Sequence, residues 1–149
     1  MDERPLEDTG PLSPLTLKLF ALSHGLLARL EAAAGAHGVS LAKLEVLRAL
    51  VTAAEPLPLG QITERLGCAK SNVTQLMDRL EADGLVRRAP DSRDRRGVLA
   101  CLTAEGGRCC LAATAAVAAA ETEFFARLPA EVRERLREVL AHVPPQCGT

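Results

Sequence analysis

The sequence contains no tryptophan or tyrosine and only three phenylalanines. Alanine, leucine, glutamate and arginine dominate instead, a mixture that favours helix over sheet. Neither sign of charge is in excess: 18 Lys and Arg face 19 Asp and Glu, a formal net charge of −1. The chain as a whole is no polycation, so any nucleic-acid contact must be local. Its five cysteines (68, 101, 109, 110 and 147) form no CxxC pair and show no metal-ligand spacing. The three histidines are scattered, so no metal is expected. No uninterrupted apolar run approaches the roughly 20 residues of a membrane span. The opening "MDERPLEDTG" is acidic and lacks the apolar core of a secretory signal. A cytoplasmic location, where thiols stay reduced, is the expectation. No GxSxG, Walker or paired-carboxylate pattern occurs, and no Cys–His arrangement can be assigned. An enzyme is therefore not expected, and no cofactor is implied.

What is present divides into six helices and one hairpin. The length of 149 residues favours a single domain. Residues 1–12 and 144–149 read as tails, the first acidic with Pro5, Gly10 and Pro11, the second ending "PPQCGT". Ser13-Pro14 starts a helix that runs to about Gly35. Ser40 caps a second, with Leu44, Leu47, Leu50 and Val51 along one face. Pro56 and Pro58 break it. A short third helix covers about Leu59 to Leu66 and ends at Gly67. The fourth spans about Lys70 to Asp83, its apolar Val73, Leu76, Met77 and Leu80 falling at i, i+3, i+4 and i+7. Two strands follow, 85–89 and 97–102. Thr103 then caps a fifth helix over 104–127, and a sixth begins at Pro129.

Two short helices joined through Gly67 suggest a helix-turn-helix, and the hairpin directly after them suggests the winged kind. The fold class expected is mainly α with a small antiparallel β-hairpin wing. Between Leu85 and Gly97 five arginines (87, 88, 93, 95, 96) face two aspartates (91, 94), a local charge of +3. That charge belongs at the wing tip. At about 100° per residue, Ser71, Gln75, Asp78 and Ala82 lie opposite the apolar stripe, flanked by Asn72, Thr74 and Arg79. Ser71, Asn72 and Gln75 are the candidates for base edges; Lys70, Thr74 and Arg79 are candidates for phosphates. Arg93 or Arg95 is the wing candidate for a minor groove, Arg96 is a further DNA-binding candidate, and Asp94 would brace a neighbouring arginine. Asp78 opposes a polyanion unless it accepts from cytosine or orients Arg79.

The stretch "LGQITERLGCAKSNVTQLMDRLEADGLVRRAPDSRDRRGVLACLTAEG" resembles the MarR (multiple antibiotic resistance regulator) family. "VTQLMDRLEADGLVRR", the "DSRDRR" wing and "LTAEG" carry the likeness, and the helix order extends it over about 12–143. The resemblance implies a homodimeric winged helix-turn-helix regulator of transcription, usually a repressor, on a pseudo-palindromic double-stranded operator. It also implies release by a small ligand, often an aromatic or phenolic acid, or by an oxidant. Two positions depart from the pattern. Ala69 stands where the family commonly has a serine cap, and Cys68 replaces a larger aliphatic residue.

The resulting domain plan is 13–39 as an N-terminal dimerisation helix, 40–103 as the winged DNA-binding unit and 104–143 as C-terminal dimerisation helices. "CCLAATAAVAAA" from Cys109 to Ala120 has no charged face, so its helix should be buried on several sides. At 12 residues the stretch is too short to span a bilayer. A private three-helix bundle in a monomer is the alternative. Cys68, before the fourth helix, is the candidate redox switch, against a small apolar residue packed in the turn. Cys109 and Cys110 point about 100° apart, which disfavours a mutual disulfide. The family's peroxide sensors use a cysteine near the start of helix one together with tyrosines, and this sequence has neither. His24, Arg29 and His37 are candidates for a ligand pocket. A winged-helix module that binds protein rather than specific DNA is the alternative function.

Overall fold

The computed structural model describes residues 12–67, 69–94 and 97–143. The two tails, Cys68, Arg95 and Arg96 lie outside the described residues, as does Cys147. Six helices appear: α1 (Pro14–Gly35), α2 (Leu41–Ala53), α3 (Leu59–Leu66), α4 (Lys70–Ala82), α5 (Ala104–Ala126) and α6 (Ala130–Ala141). Three strands, β1 (Leu57–Pro58), β2 (Val86–Pro90) and β3 (Val98–Leu102), form one antiparallel sheet in the order β1-β3-β2.

The helix starts follow from side-chain chemistry. Ser13, Ser40 and Thr103 each accept a hydrogen bond from the backbone N–H three residues on, at Thr16, Lys43 and Gly106. Each removes one unsatisfied amide from a helix N-terminus. Pro14 opens α1, where its missing N–H costs nothing. Gly67 ends α3 and Gly84 follows α4 with φ of +60° and +72°, left-handed values that glycine adopts without a Cβ clash.

The core lies in the winged unit. Leu44, Val46, Leu47 and Leu50 of α2 pack with Leu57, Ile62, Val73, Met77, Leu80, Val86 and Ala100, and Cys110 and Ala113 of α5 close the cluster. β1 was not foreseen in the sequence. Pro56 and Pro58 read there as breakers, yet Leu57 pairs with Ala100 and Pro58 with Leu99. A two-residue strand at a sheet edge tolerates proline because an edge position need not donate to a ladder.

α5 spans the expected 104–127 to within one residue, but within the protomer it is not buried on several sides. The uncharged stretch is part of a 23-residue helix, the one helix among the described residues long and apolar enough, by length and composition, to cross a membrane. Within the protomer only Gly106, Cys110 and Ala113 of α5 are buried. Much of the rest is bare, with Leu111 77% exposed. α6 buries no residue, and Leu15, Leu19, Phe20 and Leu27 of α1 are exposed too. Apolar area on this scale marks an association surface rather than a finished exterior.

Met77 is fully buried at the centre of the core. Met77→Ala should lower the unfolding free energy by about 2–5 kcal/mol, the cost of a core cavity, as measured by urea denaturation.

Candidate nucleic-acid interface

α4 is held by one side. Val73, Met77 and Leu80 are at most 1% exposed, and each buried side chain of this size contributes about 1.5–3 kcal/mol. This seating leaves the opposite side in solvent. Lys70, Ser71, Asn72, Thr74, Gln75, Asp78 and Arg79 are all exposed. The predicted helix residues therefore share one open face carrying amide, hydroxyl, ammonium and guanidinium groups. Thr74 donates its hydroxyl hydrogen to the Lys70 carbonyl at 3.0 Å, a bond the hydroxyl would exchange in order to donate to a phosphate oxygen. Ala69 has the extended backbone of a cap (φ −64°, ψ 141°) but supplies no side-chain bond.

Asp78 has a partner that sequence reasoning missed. Its carboxylate lies 2.6 Å from the guanidinium of Arg88 on β2, not on Arg79. Arg88 also reaches Glu81 at 2.8 Å, and its backbone N–H donates to the same carboxylate at 3.0 Å. A further guanidinium contact reaches the Thr74 carbonyl at 3.5 Å. The hydrogen bond to Asp78 chiefly raises the Arg88 pKa above its ordinary value, against a lowering by burial. One arginine thus bolts the wing strand to the helix. A signal for it was present: Asp78 and Glu81 stand at i, i+3 on one face of α4, facing the strand that follows. The negative charge of Asp78 is spent on this brace.

The wing tip is closed by short-range bonds. Asp91 N–H donates to the Gly97 carbonyl at 3.0 Å, Gly97 N–H to the Asp94 carbonyl at 2.8 Å, and Arg93 N–H to the Asp91 carboxylate at 2.9 Å. A Cβ on Gly97 would come within 2.9 Å of the Asp91 Cβ, so the tip has room only for glycine there. Arg93 is exposed at the tip, and Arg87 is exposed nearer the base of β2. Arg95 and Arg96 lie outside the described residues.

The candidate redox residue Cys68 also falls outside them. Cys101, Cys109 and Cys110 are free thiols. Burial is the largest cause pushing both Cys109 and Cys110 above the ordinary thiol range, and Cys109 donates to the His37 carbonyl at 3.5 Å. Raised pKa values disfavour the reactive thiolate. His24 and His37 are exposed, and the Arg29 guanidinium sits 5.9 Å from the Phe124 ring centroid. A cavity of about 550 Å³ opens between α2, the sheet and α5. Val51, Cys101, Leu102 and Leu111 are among its walls, and Arg87 lines it too.

Comparison with known proteins bears on this geometry. A sequence profile of the MarR family matches residues 37–97. An uncharacterised helix-turn-helix transcriptional regulator of Bacillus subtilis, YkoM, is 40% identical over 70 residues, covering 47% of this chain and 45% of YkoM. The chain spans about half the length, or less, of the curated relatives it matches. Solved structures match over more of their length. A MarR mutant from E. coli complexed with operator DNA superposes with a TM-score of 0.73 at 26% identity, covering 89% of this chain and 94% of that one. CouR from Rhodococcus jostii RHA1, bound to p-coumaroyl-CoA, gives 0.66 at 26% identity, covering 86% and 89%.

Two substitutions probe the local chemistry. Ala69→Ser should add about 1 kcal/mol to stability by supplying the missing cap, read by chemical denaturation. Arg88→Ala should remove about 1 kcal/mol, since the ion pairs are partly exposed, and should speed amide exchange along β2 relative to α2.

Proposed function

The chain belongs to the MarR family of winged helix-turn-helix transcriptional regulators, and from that premise we propose that it binds double-stranded DNA as a homodimer at an inverted repeat and acts as a ligand-released repressor. The observation that carries this reading is the two-sided character of α4. One side is locked in the core, and the other offers a continuous polar face beside a braced wing. A major groove is about 12 Å wide and admits one helix. Ser71, Asn72 and Gln75 would face base edges there, while Lys70, Thr74 and Arg79 meet phosphates. The wing, carrying Arg93, Arg95 and Arg96, would reach the adjacent minor groove, whose negative potential attracts guanidinium groups.

The dimer reading is supported by the bare apolar faces of α1, α5 and α6. Phe20 is 66% exposed, Leu15 67% and Val139 58%. A second copy related by two-fold symmetry would cover the same patch on both chains and set two recognition helices about one DNA turn apart. For release, the cavity between α2, the sheet and α5 supports an aromatic or phenolic acid: apolar walls for the ring and the Arg87 guanidinium for the carboxylate, which must sit away from Glu55 on the same lining. The cavity touches both the winged unit and the long helix α5, where a bound molecule would favour one relative placement of the two.

Selection of bound duplexes from a random pool tests the proposal. The expected product is an inverted repeat whose affinity falls steeply with added salt. Gln75→Ala should change base preference at one position of each half-site, at about 1–3 kcal/mol of discrimination. Arg93→Ala should weaken all sequences alike. A folded dimer that enriches no sequence would favour the protein-binding alternative. Aromatic acids added to the selected complex should release it, and Arg87→Ala should abolish that response.

A further inference from the structure

Where β2 leaves α4, the chain makes an unusually close contact with the start of α5. Leu85 N–H closes the end of α4 by donating to the Leu80 carbonyl at 2.9 Å. The carbonyl of the same residue is turned the other way. It accepts from Thr103 N–H at 3.2 Å and from the Thr103 hydroxyl at 3.0 Å, and that hydroxyl hydrogen is shared with the Gly84 carbonyl at 2.8 Å. The Thr103 oxygen in turn accepts from Gly106 N–H at 2.9 Å, capping α5. Gly106 is buried, and a Cβ there would stand 2.0 Å from the Leu85 oxygen. No side chain fits between the two backbones.

We propose that this contact is the joint that sets the angle between the recognition helix and the long helix α5, with Thr103 and Gly106 as positioning residues for DNA reading. Beyond this turn α5 packs on the winged unit through Cys110 and Ala113, with Cys109 and Val117 at the margin of the core. The lever is long. α4, with 13 residues, is about 20 Å in length, so a tilt of about 10° moves its far end about 3.5 Å, close to one base-pair step. A dimer that fits two half-sites at fixed spacing needs a stiffer setting than that. The joint itself is a property of one protomer; only its consequence for DNA rests on the function proposed above.

The test measures the angle directly, without DNA. Nitroxides attached through an unnatural amino acid at Ser71 and Glu123, in protein mixed with excess unlabelled chain, report the distance between α4 and the far end of α5 within one protomer. Wild type should give one narrow distribution. Gly106→Ala should shift it by several ångströms, Thr103→Val should broaden it, and Thr103→Ser should restore it. Unlabelled Gly106→Ala and Thr103→Val should bind the selected inverted repeat about tenfold more weakly, with single half-site affinity unchanged. If Gly106→Ala does not fold, the Thr103 pair carries the comparison. Unchanged distances in folded variants overturn the joint, whatever DNA binding does. Altered distances with unaltered affinity for the repeat overturn its role in reading DNA. A wild type that binds no duplex overturns the DNA-binding reading, while the distances still decide the joint.

Discussion

Burial of one stripe of α4 is the constraint on which the remaining features depend. Val73, Met77 and Leu80 reach into a core supplied by α2, α3 and the sheet, and they cannot rotate out without emptying it. A helix fixed on one side has no freedom over what it presents on the other. Ser71, Asn72 and Gln75 are therefore displayed by the same packing that stabilises the domain. Arg88 extends the arrangement to the wing by pairing with Asp78 and Glu81 from β2. The acidic residue least suited to a polyanion serves as the anchor for the basic strand.

Function would follow from two such units held at a fixed separation. The winged half carries the core, while α1, α5 and α6 carry exposed leucine, valine and phenylalanine that one protomer leaves uncovered. The two halves meet along α5, from its first turn through Cys110 and Ala113 in the core, with the cavity beside them. Gly106, which meets the Leu85 carbonyl at the joint, and Gly107, which lines the cavity, are adjacent in the chain. A molecule lodged in the cavity would act on the element whose tilt sets the placement of the reading helix. Desolvation pushes the Cys109 and Cys110 thiols above their ordinary range, which disfavours the reactive thiolate at those two sites.

Local chemistry was legible in the sequence and non-local contact was not. Ser13, Ser40 and Thr103 cap helices as their positions suggested, because a cap depends on residues only three apart. The i, i+3, i+4, i+7 stripe of α4 fixed which of its residues stay exposed. β1 escaped because two residues between prolines become a strand only by pairing with β3, some forty positions later. Arg88 was counted as one charge among five, since its role needs a helix partner 10 residues earlier. "LTAEG" marked a helix start, yet the reason for its glycine is a carbonyl on another element.

Chemical footprinting on a bound duplex addresses the central claim most directly, because it reports which grooves are covered and at what separation. The account predicts two patches of major-groove protection about one turn apart on the same face, each adjoined by a protected minor groove. Binding without that pattern, or protection by a chain whose α4 surface residues have all been replaced, would contradict it.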